Sequence, residues 1–168
     1  MPAGRKTKPI ALDKALVEAF AVNERMNQFL LENLDEDAWR VEPPGGKGRT
    51  IAAIVAHIHN VRHMWLSVSA KGAELPEKLN RYTISPEQAR RGLAKSGAAM
   101  RRFLEASLSA GGRVKSFPPG VVGFFAYAIS HDAHHRGQIC LLARQAGFPL
   151  ANEATYGMWD WSKRQEEI

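Results

Sequence analysis

The six histidines of the chain fall into two clusters whose spacing could support metal chemistry. The first cluster comprises His57, His59 and His63, and the second comprises His131, His134 and His135. Residues four apart on an α-helix lie on one face, so His131 and His135 can aim at one point. Neutral imidazole is a good ligand for zinc, nickel, copper and iron. The second cluster therefore predicts two ligands of a metal site, which needs at least a third ligand from another segment.

The first cluster can supply that third ligand if its segment is helical. The apolar stripe of such a helix centres near Ile58, and His57 falls at one edge of the stripe. His63 falls far from the stripe and is predicted to face solvent or a partner. His59 lies on the opposite flank and stays open as an alternative ligand. The pattern therefore favours His57, and it leaves the roles of His59, His63 and His134 undecided.

Further residues near the second cluster could take part in chemistry. Gln138 continues the strip that carries the histidine pair, where it could orient a ligand or contact a substrate. Asp132 completes an H-D-x-x-H string, close to the H-E-x-x-H motif in which the acid is a general base, but its side chain is shorter by a methylene. Tyr127 also lies on the strip, where a core role is favoured. Cys140 points away from His131 and is not expected to be a ligand or a nucleophile.

Ordinary roles compete with the metal hypothesis for each of these residues. A single histidine is more often hydrogen-bonded in the core, or exposed, than bound to a metal ion. Other chemistry has less support, because the chain lacks the paired Glu-x-x-His motifs of a di-iron bundle and the G-x-S-x-G nucleophile motif. The glycine-rich loop 45–50 lacks the order of a nucleotide-binding loop and is predicted to be a surface loop.

Apolar residues at helical spacing predict four long helices that would position these side chains. The predicted helices span residues 12–34, 51–69, 86–110 and 121–145. Thr50 and Ser85 are the predicted N-caps of the second and third helices. Ser85 is followed by Pro86 at the first helical position and by Gln88 at the capping-box position.

No segment alternates with period two between hairpin turns, so the fold class is predicted to be all-α. The simplest architecture is a four-helix bundle in a single domain over residues 1–168. Gly92 and Gly97 lower the helix propensity of the third helix. The tail, residues 152–168, is rich in aromatic side chains and is predicted to dock on the bundle through them. Residues 1–10 are expected to be a frayed terminus.

Composition and charge place the chain among ordinary globular proteins. Hydrophobic residues make up 45% and charged residues 24%, and the single cysteine excludes an internal disulfide. No apolar run reaches membrane-spanning length and no signal core is visible, so a soluble cytoplasmic protein is expected. The net charge of +6 could suggest a nucleic-acid partner, but the basic residues between Arg81 and Lys115 lie near Glu87 and Glu105 and lack interleaved aromatics. Neither nucleic-acid nor membrane binding is expected.

Three strings of the chain resemble the DinB-like family. They are IAAIVAHI at 51–58, HDAHHRGQI at 131–139 and YGMW at 156–159, and the resemblance spans essentially the whole chain. It implies a four-helix bundle, often a homodimer, with a divalent metal ion held by three histidines. Matched residue by residue, these are His57, His131 and His135. The implied ion is zinc or nickel, with manganese and iron as alternatives.

The resemblance implies less about activity, since relatives include thiol-dependent transferases or isomerases and hydrolases. Our first hypothesis is a metal-dependent enzyme whose site keeps open positions for a small-molecule substrate, such as a low-molecular-weight thiol. Asp132 and Gln138 are its candidate catalytic residues, either to handle a proton or to orient a metal ligand. The alternative is a metal-binding bundle without turnover that acts in a stress response. Nucleic-acid binding through the basic third helix is the third hypothesis.

Overall fold

The computed structural model describes residues 10–168, and this part of the chain is helical with no β-strand. Its α-helices are α1 (Leu12–Glu32), α2 (Ile51–Ser69), α3 (Pro86–Ser109), α4 (Gly120–Gln145), α5 (Asn152–Gly157) and α6 (Trp161–Glu166). The all-α prediction and the four long helices are confirmed, although α1 ends at Glu32 rather than at residue 34. The sequence predicts a frayed terminus over residues 1–10. Of these, only Ile10 belongs to the described part of the chain, and residues 1–9 lie outside it.

Helices α2 and α3 begin where polar side chains cap their first turns. Thr50 accepts a hydrogen bond from the backbone N–H of Ala53 at 3.2 Å, which satisfies a donor that the helix itself cannot use. Ser85 and Gln88 form the reciprocal capping box of α3, and Pro86 occupies the first helical position. Both N-caps predicted from the sequence are confirmed.

The four long helices pack on one another and enclose two apolar clusters. Helices α1 and α2 each contact both α3 and α4. One cluster contains Ile54 and Ile58 from the first half of α2, and the other contains Leu66 from its second half with Phe20 and Phe124. Buried polar residues occupy the level between the two clusters on α1, α2 and α4. None of the helices described in residues 10–168 is long and apolar enough to cross a bilayer.

Two glycines inside α3 permit close contacts that a side chain would block. A Cβ atom at Gly92 would lie 2.8 Å from Leu79 Cδ1, and one at Gly97 would lie 2.7 Å from the carboxylate carbon of Glu24. Both distances are shorter than van der Waals contact. Gly92 and Gly97 lower the helix propensity of α3, but they let Leu79 and Glu24, respectively, pack closely against it.

The tail packs on α1 through a buried arginine rather than through its most prominent aromatic side chains. Arg164 of α6 is 2% exposed, and its guanidinium carbon lies 4.0 Å from the centre of the Phe29 ring on α1. Tyr156 and Trp159 are 74% and 77% exposed, so the prediction that the tail aromatics would dock was wrong for these two. Arginine can bury its apolar stem and stack its planar head on a ring, which is why a charged residue takes this place.

Candidate metal centre

Helices α2 and α4 bring three histidines of the two clusters together. His57 extends from α2, and His131 and His135 extend from α4 one turn apart. The ring centres are 5.3 Å apart for His57 and His131, 4.8 Å for His57 and His135, and 4.5 Å for the α4 pair. One ring nitrogen from each histidine lies within 4.8 Å of one from each of the others. We call these three residues the histidine cluster, and they are the three that the sequence favoured as ligands.

The nitrogen atoms that face one another in the cluster suit a shared cation. His135 Nδ1 lies 2.7 Å from the amide oxygen of Gln138, so the proton sits on Nδ1 and the Nε2 lone pair is free. That Nε2 lies 3.2 Å from His131 Nε2. Two imidazoles on one tetrahedral zinc ion have their nitrogens about 3.3 Å apart. Two arrangements therefore fit: a proton on His131 Nε2 that is donated to His135, or a cation that both lone pairs face.

The surroundings keep two of the imidazoles neutral, which is the form that binds metal. Burial lowers the pKa of His57 to about 4, and the positive charge of Arg49 and the neighbouring imidazoles act in the same direction. Burial also lowers the pKa of His135, although its hydrogen bond to Gln138 opposes the change. His57 is half-buried and the His131 side chain is 16% exposed, so a small ligand can reach the cluster.

The other histidines lie outside the cluster. His59 is 1% exposed, and its Nδ1 and Nε2 lie 2.9 Å and 2.8 Å from the backbone oxygens of Gly92 and Glu77. Both ring nitrogens of His59 are engaged by the backbone, so this alternative ligand is not brought to the site. His134 is exposed on α4, and His63 is half-buried on α2, so His63 faces solvent only in part.

The two candidate catalytic residues point in different directions. Gln138 accepts the hydrogen bond from His135 and so orients that ring. Asp132 is 1% exposed and turns toward α1 and α2, where its Oδ2 lies 2.7 Å from Arg62 Nη2. Its Oδ1 lies 3.9 Å from His131 Nδ1, which is longer than a hydrogen bond. Successive residues of a helix point about 100° apart, so Asp132 lies on the Nδ1 side of His131 and not among the facing nitrogens of the cluster. This is a poor position for the general base that the H-D-x-x-H string suggests.

A buried ion network surrounds Asp132, and the sequence patterns did not predict it. Arg62 forms ion pairs with both Asp132 and Glu24 of α1. The side-chain amides of Asn23 and Asn27 donate to Asp132 Oδ2 at 2.6 Å and 3.2 Å. Three donors from two other helices thus converge on one carboxylate oxygen of α4.

Arg136 completes this network from α4. Its Nη1 donates to the amide oxygens of Asn23 and Asn27, at 2.7 Å in each case. Burial alone would raise the pKa of Asp132, but the charge of Arg62 and the hydrogen bonds to the carboxylate outweigh it and hold this pKa well below its usual range. The available sequence signal was the pair of asparagines four apart on the apolar side of α1, where amides are costly unless they find partners.

Tyr127 lies close to the histidine cluster, and its hydroxyl proton has no acceptor in the part of the chain that the structure describes. Its ring lies 5.9 Å from the His131 imidazole, measured between ring centres, and one helical turn along α4. Trp65 of α2 donates its indole N–H to the phenol oxygen at 3.1 Å. An indole can only donate, so the Tyr127 proton is left for another acceptor. Residues 10–168 provide no acceptor for it within hydrogen-bond distance.

Cys140 stays outside the cluster, as expected from its position on α4. Its side chain is half-buried. Burial raises the pKa of the thiol, although the charge of Arg136 opposes the change. A protonated thiol is a poor nucleophile and a poor metal ligand, so Cys140 is not part of the candidate chemistry.

Comparison with known proteins identifies one family. A family model described as DinB family matches residues 5–167, which is nearly the whole chain. No curated protein and no solved structure matches the chain at a significant level. The matched range contains all the helices described above and the complete histidine cluster.

Proposed function

Because the chain belongs to the DinB family, we propose that it is a metal-dependent enzyme whose divalent ion is held by His57, His131 and His135. The observation that carries this proposal is the convergence of one nitrogen from each ring within 4.8 Å. Three protein ligands leave coordination positions open, as catalytic sites require. We propose zinc or nickel as the ion, with manganese or iron as alternatives, because three imidazoles suit several divalent metals. In this proposal the helices α1 to α4 form a four-helix bundle around the site.

The proposed substrate is a small molecule with an anionic group, such as the thiolate of a low-molecular-weight thiol. A divalent ion in the cluster would act as a Lewis acid that lowers the pKa of a thiol or a water molecule. Arg49 is exposed just before α2, and its positive charge affects the pKa values of both His57 and His135. This charge supports the approach of an anion. A cytoplasmic location is part of the proposal, because thiols are kept reduced there.

The experiment that tests the proposed activity is a turnover screen on the zinc-loaded and nickel-loaded protein. One arm uses a low-molecular-weight thiol with a chromogenic electrophile, and the other uses a nitrophenyl ester. We expect turnover in one arm, and we expect it to disappear in a His131→Ala/His135→Ala variant. A loaded protein without turnover in either arm would favour the second candidate, a metal-binding protein that catalyses no reaction.

Tyr127 is proposed to donate its free hydroxyl proton to a ligand bound at the open side of the ion. We expect Tyr127→Phe to weaken azide binding to the cobalt-substituted protein by about 5-fold, since a hydrogen bond contributes about 1 kcal/mol. Titration in the visible range measures the azide affinity. Tyr156→Phe is the matched control, because Tyr156 is 74% exposed on the tail. Equal azide affinity in Tyr127→Phe and the wild type would contradict the proposed donor.

A homodimer that forms through the outer face of α4 is also part of the proposal. The exposed residues from Val122 to Leu141 include no lysine, arginine, aspartate or glutamate. Val122 and Leu141 are themselves 56% and 52% exposed. A long helix face without charge supports an interface with a second copy, because soluble monomers rarely expose such faces. Light scattering should give twice the chain mass, and the mass of a single chain would contradict this part of the proposal.

A further inference from the structure

We infer that Asp132 and Arg62 are positioning residues for the metal ligand His131, so that the buried ion network sets the metal affinity of the cluster. This inference rests on the proposed function, because it concerns the ion held by the three histidines. It gives a role to residues of α1, α2 and α4 that are not ligands.

One oxygen of the Asp132 carboxylate accepts three hydrogen bonds, and the other accepts none from residues 10–168. Oδ2 accepts from Arg62, Asn23 and Asn27 at 2.7, 2.6 and 3.2 Å. Oδ1 has no hydrogen-bond donor among the residues that the structure describes, and His131 Nδ1 lies 3.9 Å from it. Three donors on Oδ2, from two different helices, resist rotation of the carboxylate. Oδ1 therefore stays beside the imidazole of His131.

The position of the proton on His131 decides whether Oδ1 gains a donor. If His131 Nε2 carries the proton and donates it to His135, the lone pair of His131 Nδ1 faces Asp132 Oδ1. Both atoms are then acceptors, so they do not form a hydrogen bond. If both Nε2 lone pairs face a cation, the proton of neutral His131 sits on Nδ1, beside Oδ1. A shortening of about 1 Å then brings the pair into hydrogen-bond range. Histidine ligands commonly donate their second N–H to a carboxylate in this way, which orients the ring and raises its basicity.

The network supports this role because it keeps Asp132 ionised in a place that water does not reach. The Arg62 and Asp132 side chains are only 4% and 2% exposed. Arg62 lies between two carboxylates, those of Asp132 and Glu24, so neither charge is buried without a partner. The Nδ1 atom of His135 faces a neutral acceptor instead, the amide oxygen of Gln138. The two ligands of α4 are therefore oriented by different acceptors, an anion behind His131 and an amide behind His135.

The test compares zinc affinity, measured by competition with a chromophoric chelator, in the wild type and two variants. Asp132→Asn and Glu24→Gln each remove a carboxylate charge from Arg62, but Asp132 alone lies beside His131. We expect Asp132→Asn to weaken zinc binding by about 10–100-fold. Glu24→Gln should weaken zinc binding less than Asp132→Asn does, because it leaves the carboxylate beside His131 in place. Unchanged affinity in Asp132→Asn, or equal losses in the two variants, would overturn the inference.

A second measurement uses the wild-type protein and does not depend on how well Asp132→Asn folds. Nitrogen-15 NMR of labelled protein titrated with zinc reports which ring nitrogen carries a proton. We expect His131 to bind through Nε2 and to keep a slowly exchanging proton on Nδ1. Ligation through Nδ1, or an Nδ1 proton that exchanges rapidly with water, would overturn the inference.

The two measurements also separate this inference from the proposed function on which it rests. Wild-type protein that binds no zinc or nickel contradicts the proposed function and this inference together. Wild-type protein that binds zinc tightly, with Asp132→Asn binding it equally well, contradicts the inference alone. A loss of zinc affinity in Asp132→Asn that is clearly larger than the loss in Glu24→Gln supports both.

Discussion

Replacement of both His131 and His135 with alanine is expected to abolish metal binding. The untagged wild-type protein should carry about one divalent ion per chain after reconstitution with zinc or nickel and dialysis, and the double variant should carry none. The physical reason is that a single remaining imidazole, that of His57, cannot hold an ion against dialysis. Mass spectrometry of the metal content against protein concentration measures the result.

His134→Ala is the matched control for this experiment. His134 lies on α4 between the two ligands in sequence, but it is exposed and outside the histidine cluster. The metal content of the His134→Ala variant should equal that of the wild type. Equal metal in the double variant and the wild type, or none in either after reconstitution, would contradict the three-histidine site. The 3.2 Å contact between His131 and His135 would then be explained as a hydrogen bond between neutral rings.

Arg62→Met is expected to produce the largest loss of stability, about 3–5 kcal/mol in the free energy of unfolding. Methionine retains an apolar stem but removes the cation shared by Glu24 and Asp132. Both carboxylates would stay in the interior without their main counter-charge, which costs more than the ion pairs themselves contribute. Urea unfolding at neutral pH in the absence of metal, followed by circular dichroism, measures this loss.

An exposed ion pair of the same protein provides the matched control. Arg91 pairs with Glu87 at 2.8 Å, and their side chains are 63% and 66% exposed. Arg91→Met should change stability by no more than about 0.5 kcal/mol, because water screens the pair. Replacement of all three charges, Glu24→Gln/Arg62→Met/Asp132→Asn, should recover part of the loss. If Arg62→Met and Arg91→Met had the same free energy of unfolding, the stability of the network would not depend on the Arg62 cation.

Short-range patterns in the sequence were sufficient to predict the four long helices, but not α5 and α6, and they favoured the three members of the histidine cluster. Thr50 and Ser85 mark helix starts because a cap involves only the backbone two or three residues further on. His131 and His135 share a face because the helix repeats every 3.6 residues. The choice of His57 depended on the same periodicity, since the edge of an apolar stripe lies where one helix meets another. The structure brings these three rings together, as that reasoning predicted.

Only the tertiary structure decided which polar groups became partners. Asn23 donates to Asp132 across 109 positions of the chain, and Arg62 reaches the same carboxylate across 70. A helical wheel ranks the faces of one helix but does not specify which residue of another helix lies opposite. For that reason the sequence indicates that Asp132 lies near the site, either to handle a proton or to orient a metal ligand, but it does not indicate that Arg62, Asn23 and Asn27 are its partners. The same reason applies to the tail. Arg164 stacks on Phe29 of α1, whereas Trp159 is exposed.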